Sequence, residues 1–199
     1  LTAESRACYS GGYFKPANRL DTVCAAKRTV PLLPEAADKL LHTVKAFTVP
    51  ADADVVSRVY RGFFEDVATT VERLDFPTLS WGLSEAKSLA QTLPRFLQLS
   101  SLDVSHNDLG AEGGVALAPA LTACTRLRSL NLAECNLGAL GGAAIAGAVG
   151  THPVLTSLDV SLNVNDECLA DGSPFGVAIA AALCQSTSLR SVNLSSNCL

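Results

Sequence analysis

The sequence predicts an α/β fold: a curved solenoid with parallel strands on the concave side, helices on the convex side and an irregular N-terminal arm. Three observations predict it. The string LQLSSLDVSHNDLGAEGGVALAPAL, beginning at Leu97, is echoed by TRLRSLNLAECNLGALGGAAIAGAV one step of 28 residues later. The same register extends outwards to five starts: Val71, Leu99, Leu127, Leu155 and Leu189. Within each unit the apolar period changes from two to the three-or-four spacing of a helix. A strand-plus-helix unit cannot close a core alone, whereas stacked copies can, and repetition builds an extended surface instead of an enclosed pocket.

Residues 1–43 do not fit the repeat and form the arm. Gly11, Gly12, Pro16, Pro31 and Pro34 break it, and Tyr9, Tyr13 and Phe14 lie between them as aromatics for folding back over the first repeat or anchoring a partner. A short helix is expected over 35–46, where EAADKLLHTVKA has helical spacing.

Residues 44–70 form an N-terminal capping unit. Val44, Phe47 and Val49 imitate the strand pattern, and Asp52 or Asp54 is placed to cap a helix over about 54–70. Val55, Val56, Val59, Tyr60, Phe63, Phe64 and Val67 supply its apolar face.

Residues 71–199 are the repeats, the last one incomplete. Leu99, Leu102, Val104, Asn107, Leu109, Leu117 and Leu121 recur as Leu127, Leu130, Leu132, Cys135, Leu137, Ile145 and Val149. The L-x-x-L-x-L segment puts its apolar side chains on the inner face of a short strand. The Asn or Cys that follows sits where the chain turns away, and a buried Asn there can satisfy backbone groups of its own turn and its neighbour's. Leu79 replaces this Asn in the first unit, a cap-like departure. The step from Leu155 to Leu189 is 34, so the fourth unit carries an insertion in NVNDECLADGSPFG. Its Asp166, Glu167 and Asp171 make an acidic loop.

The L-x-x-L-x-L-x-x-N/C-x-L-G pattern, the 28-residue length and the alternation Asn107, Cys135, Asn163 resemble the leucine-rich repeat of the ribonuclease-inhibitor type. That resemblance implies a protein-binding fold whose members include enzyme inhibitors, innate immune sensors, activators of small GTPases and ciliary scaffolds. It names no partner.

Composition restricts the function further. No run approaches the ~20 apolar residues that span a bilayer, so no transmembrane segment is expected. The net charge of −4 without a basic block argues against nucleic acid. Seven cysteines without a C-x-x-C pair read as free thiols of an intracellular reducing compartment, cytoplasm or cilium, with an organelle after transit-peptide removal as the alternative. The chain begins at Leu1 and has no Met, so it reads as a processed form or a fragment, and further repeats or a partner are expected beyond Leu199.

Three surfaces carry the candidate contacts. The concave column Asp75, Asp103, Asn131, Asp159, Asn193 is a polar ladder on neighbouring strands. Asn131 interrupts the carboxylates and no Glu completes a ligand set, so no metal is expected. The column also lacks the Trp, Tyr or Arg anchors of tight interfaces. On the helices, Val115, Ala118, Ala143, Ala146, Gly147, Val177, Ala180 and Ala181 are expected to face outwards as an uncharged partner-contact patch. The acidic insertion is the third.

His42, His106 and His152 are scattered and no nucleophile, base and acid share a surface, so no enzyme, cofactor or small-molecule ligand is expected. The reading is a non-catalytic scaffold subunit whose partners are other protein subunits. A GTPase-activating or innate-sensor-type regulatory module is the alternative.

Overall fold

The computed structural model describes residues 28–43, 47, 49–164 and 174–197. The described elements run in the order α1 (Pro34–Thr43), α2 (Ala51–Thr70), β1 (Arg73–Asp75), α3 (Leu83–Thr92), a 3-10 turn (Leu93–Arg95), β2 (Ser101–Asp103), α4 (Gly110–Ala123), β3 (Ser129–Asn131), α5 (Gly138–Gly150), β4 (Ser157–Asp159), α6 (Pro174–Gln185) and β5 (Ser191–Asn193). The five strands form one parallel sheet in sequence order. Arg73, Ser101, Ser129, Ser157 and Ser191 pair across it, which is the register that the repeat dictates.

The repeated apolar positions of the middle units are inside, while Val71 at one end and Leu189, Val192 and Leu194 at the other are half-buried. Leu99, Leu127 and Leu155 form one buried column, and Leu74, Leu102, Leu130 and Leu158 the next. Val104, Leu132 and Val160 form a third, closed from the helical layer by Leu117, Leu121, Ile145, Val149 and Ile179. Each such side chain contributes about 1.5–3 kcal/mol on leaving water.

The turn after each strand is held by an amide ladder. Asn163 Oδ1 accepts from the N–H of Cys135 (3.0 Å) and Leu137 (3.2 Å), while its Nδ2 donates to the carbonyls of Leu132, Val160 and Ser161. Asn107 does the same for Leu79, Trp81, Phe76, Val104 and Ser105. Each amide thus serves the turn of the unit before it: the N–H of Leu79 goes to Asn107 and that of Asn163 to Asn197. The residue before each ladder position (Thr78, His106, Glu134, Leu162, Ser196) has φ between 55° and 57°, or 53° at Glu134. A left-handed non-glycine residue costs about 1–2 kcal/mol, and the ladder offsets it.

Strands lie about 4.8 Å apart and helices about 8–10 Å, so the sheet becomes the concave side. Glycines bring the helices close. A Cβ on Gly114 of α4 would stand 2.8 Å from Gly141 Cα of α5, and one on Gly150 would stand 2.8 Å from Ala182 Cα of α6.

The N-terminal end differs from its expectation in two ways, both in α2. Helix α1 runs from Pro34 to Thr43, and residues 44–46 lie outside the described residues. Helix α2 starts at Ala51, so Asp52 and Asp54 occupy its first turn and do not cap it; Asp54 Oδ1 lies 3.0 Å from His42 Nε2 instead. The buried face of α2 is Ala53, Ser57, Phe64 and Ala68, whereas Val55, Val56, Val59 and Phe63 are exposed. Specific anchors set this rotation. Tyr60 Oη donates to Leu32 O (2.7 Å), Ser57 Oγ donates to Asp38, and the Phe64 ring packs 6.0 Å from that of Phe96.

Candidate protein-interaction surfaces

On the concave side the polar ladder is occupied with itself. Asp103 Oδ1 accepts from Ser105 N (2.9 Å) and Ser105 Oγ (2.7 Å). Its Oδ2 accepts from Asn131 Nδ2 of the next strand at 3.0 Å, and Asn131 Oδ1 accepts from Ala133 N. Asp159 and Asn193 repeat the arrangement: Asp159 Oδ1 takes Ser161 N and Oγ, and its Oδ2 takes Asn193 Nδ2 at 2.8 Å. From Asp103 onwards, alternating carboxylate with amide places a donor where two like charges would face each other across ~4.8 Å, whereas Asp75 and Asp103 are paired carboxylates on β1 and β2. Burial pushes the Asp159 carboxyl up, but the Ser161 and Asn193 donors outweigh it and leave its pKa lowered. Asp75 at the sheet edge takes Arg73 Nε at 2.6 Å on Oδ2, and its buried Oδ1 has no hydrogen-bond partner. The ladder is a structural seam, and no group of His, Cys, Asp and Glu among the described residues is placed to hold a metal.

A hollow of about 640 Å³ lies on the rim at the strand ends. His106 Nδ1 stands 2.7 Å from Glu134 Oε2 over it, and Asn136 Nδ2 donates to Asp108 Oδ1 at 3.0 Å. Its charged groups are largely engaged with each other.

The helical side is unlike either. Helices α4, α5 and α6 carry one charged residue between them, Glu112. Helix α2 alone carries Asp52, Asp54, Arg58, Arg61, Glu65 and Asp66. Yet large apolar side chains stand in solvent on all three: Val115 is 52% exposed, Leu140 70% and Val177 66%. Val115 and Val177 occupy the same repeat position on α4 and α6, and Leu140 sits one turn before the matching Ala143 on α5. These exposed side chains make up the apolar part of the convex face, with Glu112 of α4 at the repeat position of Leu140.

A family model described as "Leucine Rich repeat" matches residues 99–118, 123–146 and 185–199. The matched segments are leucine-rich repeats, and the fold is that of a leucine-rich-repeat solenoid. Its fold is similar to the solved structure of leiomodin-1 actin-binding site 2, with a TM-score of 0.55 over 68% of this chain and 79% of that one at 17% identity. No curated protein matches the sequence. No helix among the described residues is long and apolar enough to cross a membrane.

Within these leucine-rich repeats the outward positions divide. Val115, Gly147, Val177, Ala180 and Ala181 are exposed, and Ala118 and Ala143 are half-buried. Ala146 is not on the surface: it is fully buried. Counting by 28, and by 34 across the insertion, aligns Ala118, Ala146 and Ala180, but α5 is packed closely on both sides, with Gly141 against Gly114 of α4 and Gly150 against Ala182 of α6. Gly114, Gly142 and Gly150 are likewise buried in the helix seams. Much of the missing charge is thus close packing, and the exposed remainder is the patch around Val115, Leu140 and Val177. Leu140 was not among the sequence candidates, although its place one turn before Ala143 was legible. The acidic insertion, with Asp166, Glu167 and Asp171, lies outside the described residues.

Proposed function

We propose that this chain is a non-catalytic protein-interaction scaffold that docks into a larger assembly through its convex helical face. The carrying observation is the near-chargeless α4–α5–α6 surface with Val115, Leu140 and Val177 standing in solvent. Surface helices of soluble proteins are usually charged on the outer side, and contiguous exposed apolar area marks contact surfaces. The ladder supports the same choice from the other side: its Asp and Asn groups are spent on one another, leaving few free anchors on the concave face. The ribonuclease-inhibitor type of repeat is our reading of the 28-residue length and the Asn107, Cys135, Asn163 alternation. The likeness to leiomodin-1 actin-binding site 2 is one of backbone at 17% identity and brings no partner with it.

Affinity purification of the tagged chain from the cells that make it tests the reading. V115E/V177E, at exposed positions, leaves the circular-dichroism spectrum and melting unchanged and removes the co-purifying subunits. Full retention of the same subunits by the folded double variant contradicts it.

A further inference from the structure

The strand-entry and strand-exit loops of the solenoid differ in charge, although Arg28 of the N-terminal segment reaches the exit end of β1, where its Nη1 donates to Asp75 O. The segments that lead into β2, β3 and β5 carry Arg95, Arg126, Arg128 and Arg190, all exposed, the one into β4 has Thr156 at the matching position, and none of the four carries an acidic residue; Glu72 lies before β1 on the same rim. The described loops that leave the strands carry Asp108 and Glu134 and neither Lys nor Arg. This cationic rim exists in a chain whose net charge is −4.

The arginines are fixed in place by the fold. The N–H groups of Arg128 and Ser129 both donate to Ser100 O, and those of Arg190 and Ser191 to Thr156 O. Arg128 and Arg190 thus stand at equivalent positions with one strand between them, about 10 Å apart. Arg126 Nη1 donates to Gln98 Oε1 at 2.6 Å, which holds its guanidinium along the rim. None of the three forms an ion pair among the described residues. A groove of about 430 Å³ runs past Arg126 and Arg128, lined also by Thr125, by Ser100, whose hydroxyl donates to Glu72 O, and by Glu72 itself.

We propose that this strand-start rim docks an acidic, extended segment of a partner protein, its carboxylates taken by Arg126, Arg128 and Arg190. The guanidinium fork matches a carboxylate in two parallel hydrogen bonds, and a row of unpaired forks on a rigid backbone favours a chain of such groups. Nucleic acid fits less well, because the rim offers no exposed aromatic for base stacking among the described residues. The rim is distinct from the convex patch, so either surface can fail without the other.

Fluorescence anisotropy of a labelled Glu- and Asp-rich peptide of about a dozen residues, titrated with the full chain, tests it. Saturable binding at low ionic strength is expected, weakened about tenfold or more at ~0.3 M salt as the charges are screened. R126E/R128E/R190E lowers the affinity about tenfold or more. The milder R128Q/R190Q weakens it in the same direction, and R58E/R61E on α2 leaves it unchanged. Absence of saturable binding overturns the proposal. So does an equal loss in the α2 variant, or tighter rim-dependent binding of a single-stranded oligonucleotide.

Discussion

Replacing Asn163 by Leu removes the central rung of the turn ladder. Its Oδ1 is the acceptor for two buried N–H groups, those of Cys135 at 3.0 Å and Leu137 at 3.2 Å. Leucine fills the space but accepts nothing. Each buried donor left without a partner costs about 1–3 kcal/mol, so the pair costs about 2–6 kcal/mol. The three carbonyls that lose Nδ2 add to this without dominating it. Against a typical total of about 5–15 kcal/mol, the loss is large. At about 2–4 °C per kcal/mol for a chain of this size, a central loss of about 4 kcal/mol lowers the melting midpoint by roughly 8–16 °C. Asn197→Leu is the internal control. Asn197 Oδ1 also accepts from two N–H groups, those of Asn163 and Val164, but it is only part-buried and water can replace it. Its midpoint falls by less than half as much. Calorimetry or thermal circular dichroism reads both variants. A midpoint for Asn163→Leu within about 2 °C of the parent chain refutes the assignment of the ladder as a principal support of the turns.

Other consequences separate packing from charge. Gly142→Ala pushes a methyl to 2.6 Å from the Phe175 ring and destabilises by about 1–3 kcal/mol. Gly147→Ala meets nothing within 4 Å and stabilises α5 by about 0.5–1 kcal/mol; equal signs in denaturant melts contradict the seam packing. His152 is buried with Nε2 3.1 Å from Cys124 O and Nδ1 without a hydrogen-bond partner. Burial pushes its pKa below the usual 6.5, with the carbonyls of Cys124 and Leu121 pulling the other way. The unfolded chain therefore protonates first, so its contribution is full above pH 6.5 and is lost as pH falls through 6.5 towards the folded-state value. H152L flattens the dependence of the unfolding midpoint on pH across that window, and an unchanged slope counts against it. Burial pushes the thiol of Cys124 up to about 11 and that of Cys135 up to about 12, whereas Cys184 is exposed. Alkylation of the native chain, mapped by peptide mass, marks Cys184 well before Cys124 and Cys135, and simultaneous labelling denies their burial.

The repeat made the sheet legible, because one apolar column per strand position leaves one register that buries them all. The inward set of Leu, Val and Ile, the turns at Asn107 and Asn163, and the parallel order follow from that spacing. Rotation of α2 was not legible. Its sequence carries apolar residues on two faces, and the choice fell to Tyr60, Ser57 and Phe64 through Leu32, Asp38 and Phe96, contacts distant in the chain. Ala146 was misplaced for a related reason: repeat arithmetic gives the position within a unit, but burial depends on helices to either side. The alternation of Asp and Asn in the concave column was visible in the sequence. That it serves hydrogen bonding between strands needed the geometry of Asn131 and Asn193 against Asp103 and Asp159.

Site-specific photo-crosslinking tests the convex-face account most directly. A photoreactive side chain placed in turn at Val115, Leu140 and Val177, and at the concave positions Asp103 and Asn131, samples both faces of one folded chain. Covalent capture of the assembly's neighbouring subunit from the three helical positions, and not from the two ladder positions, is the predicted result. Capture from Asp103 and Asn131 with none from Val115, Leu140 or Val177 contradicts it.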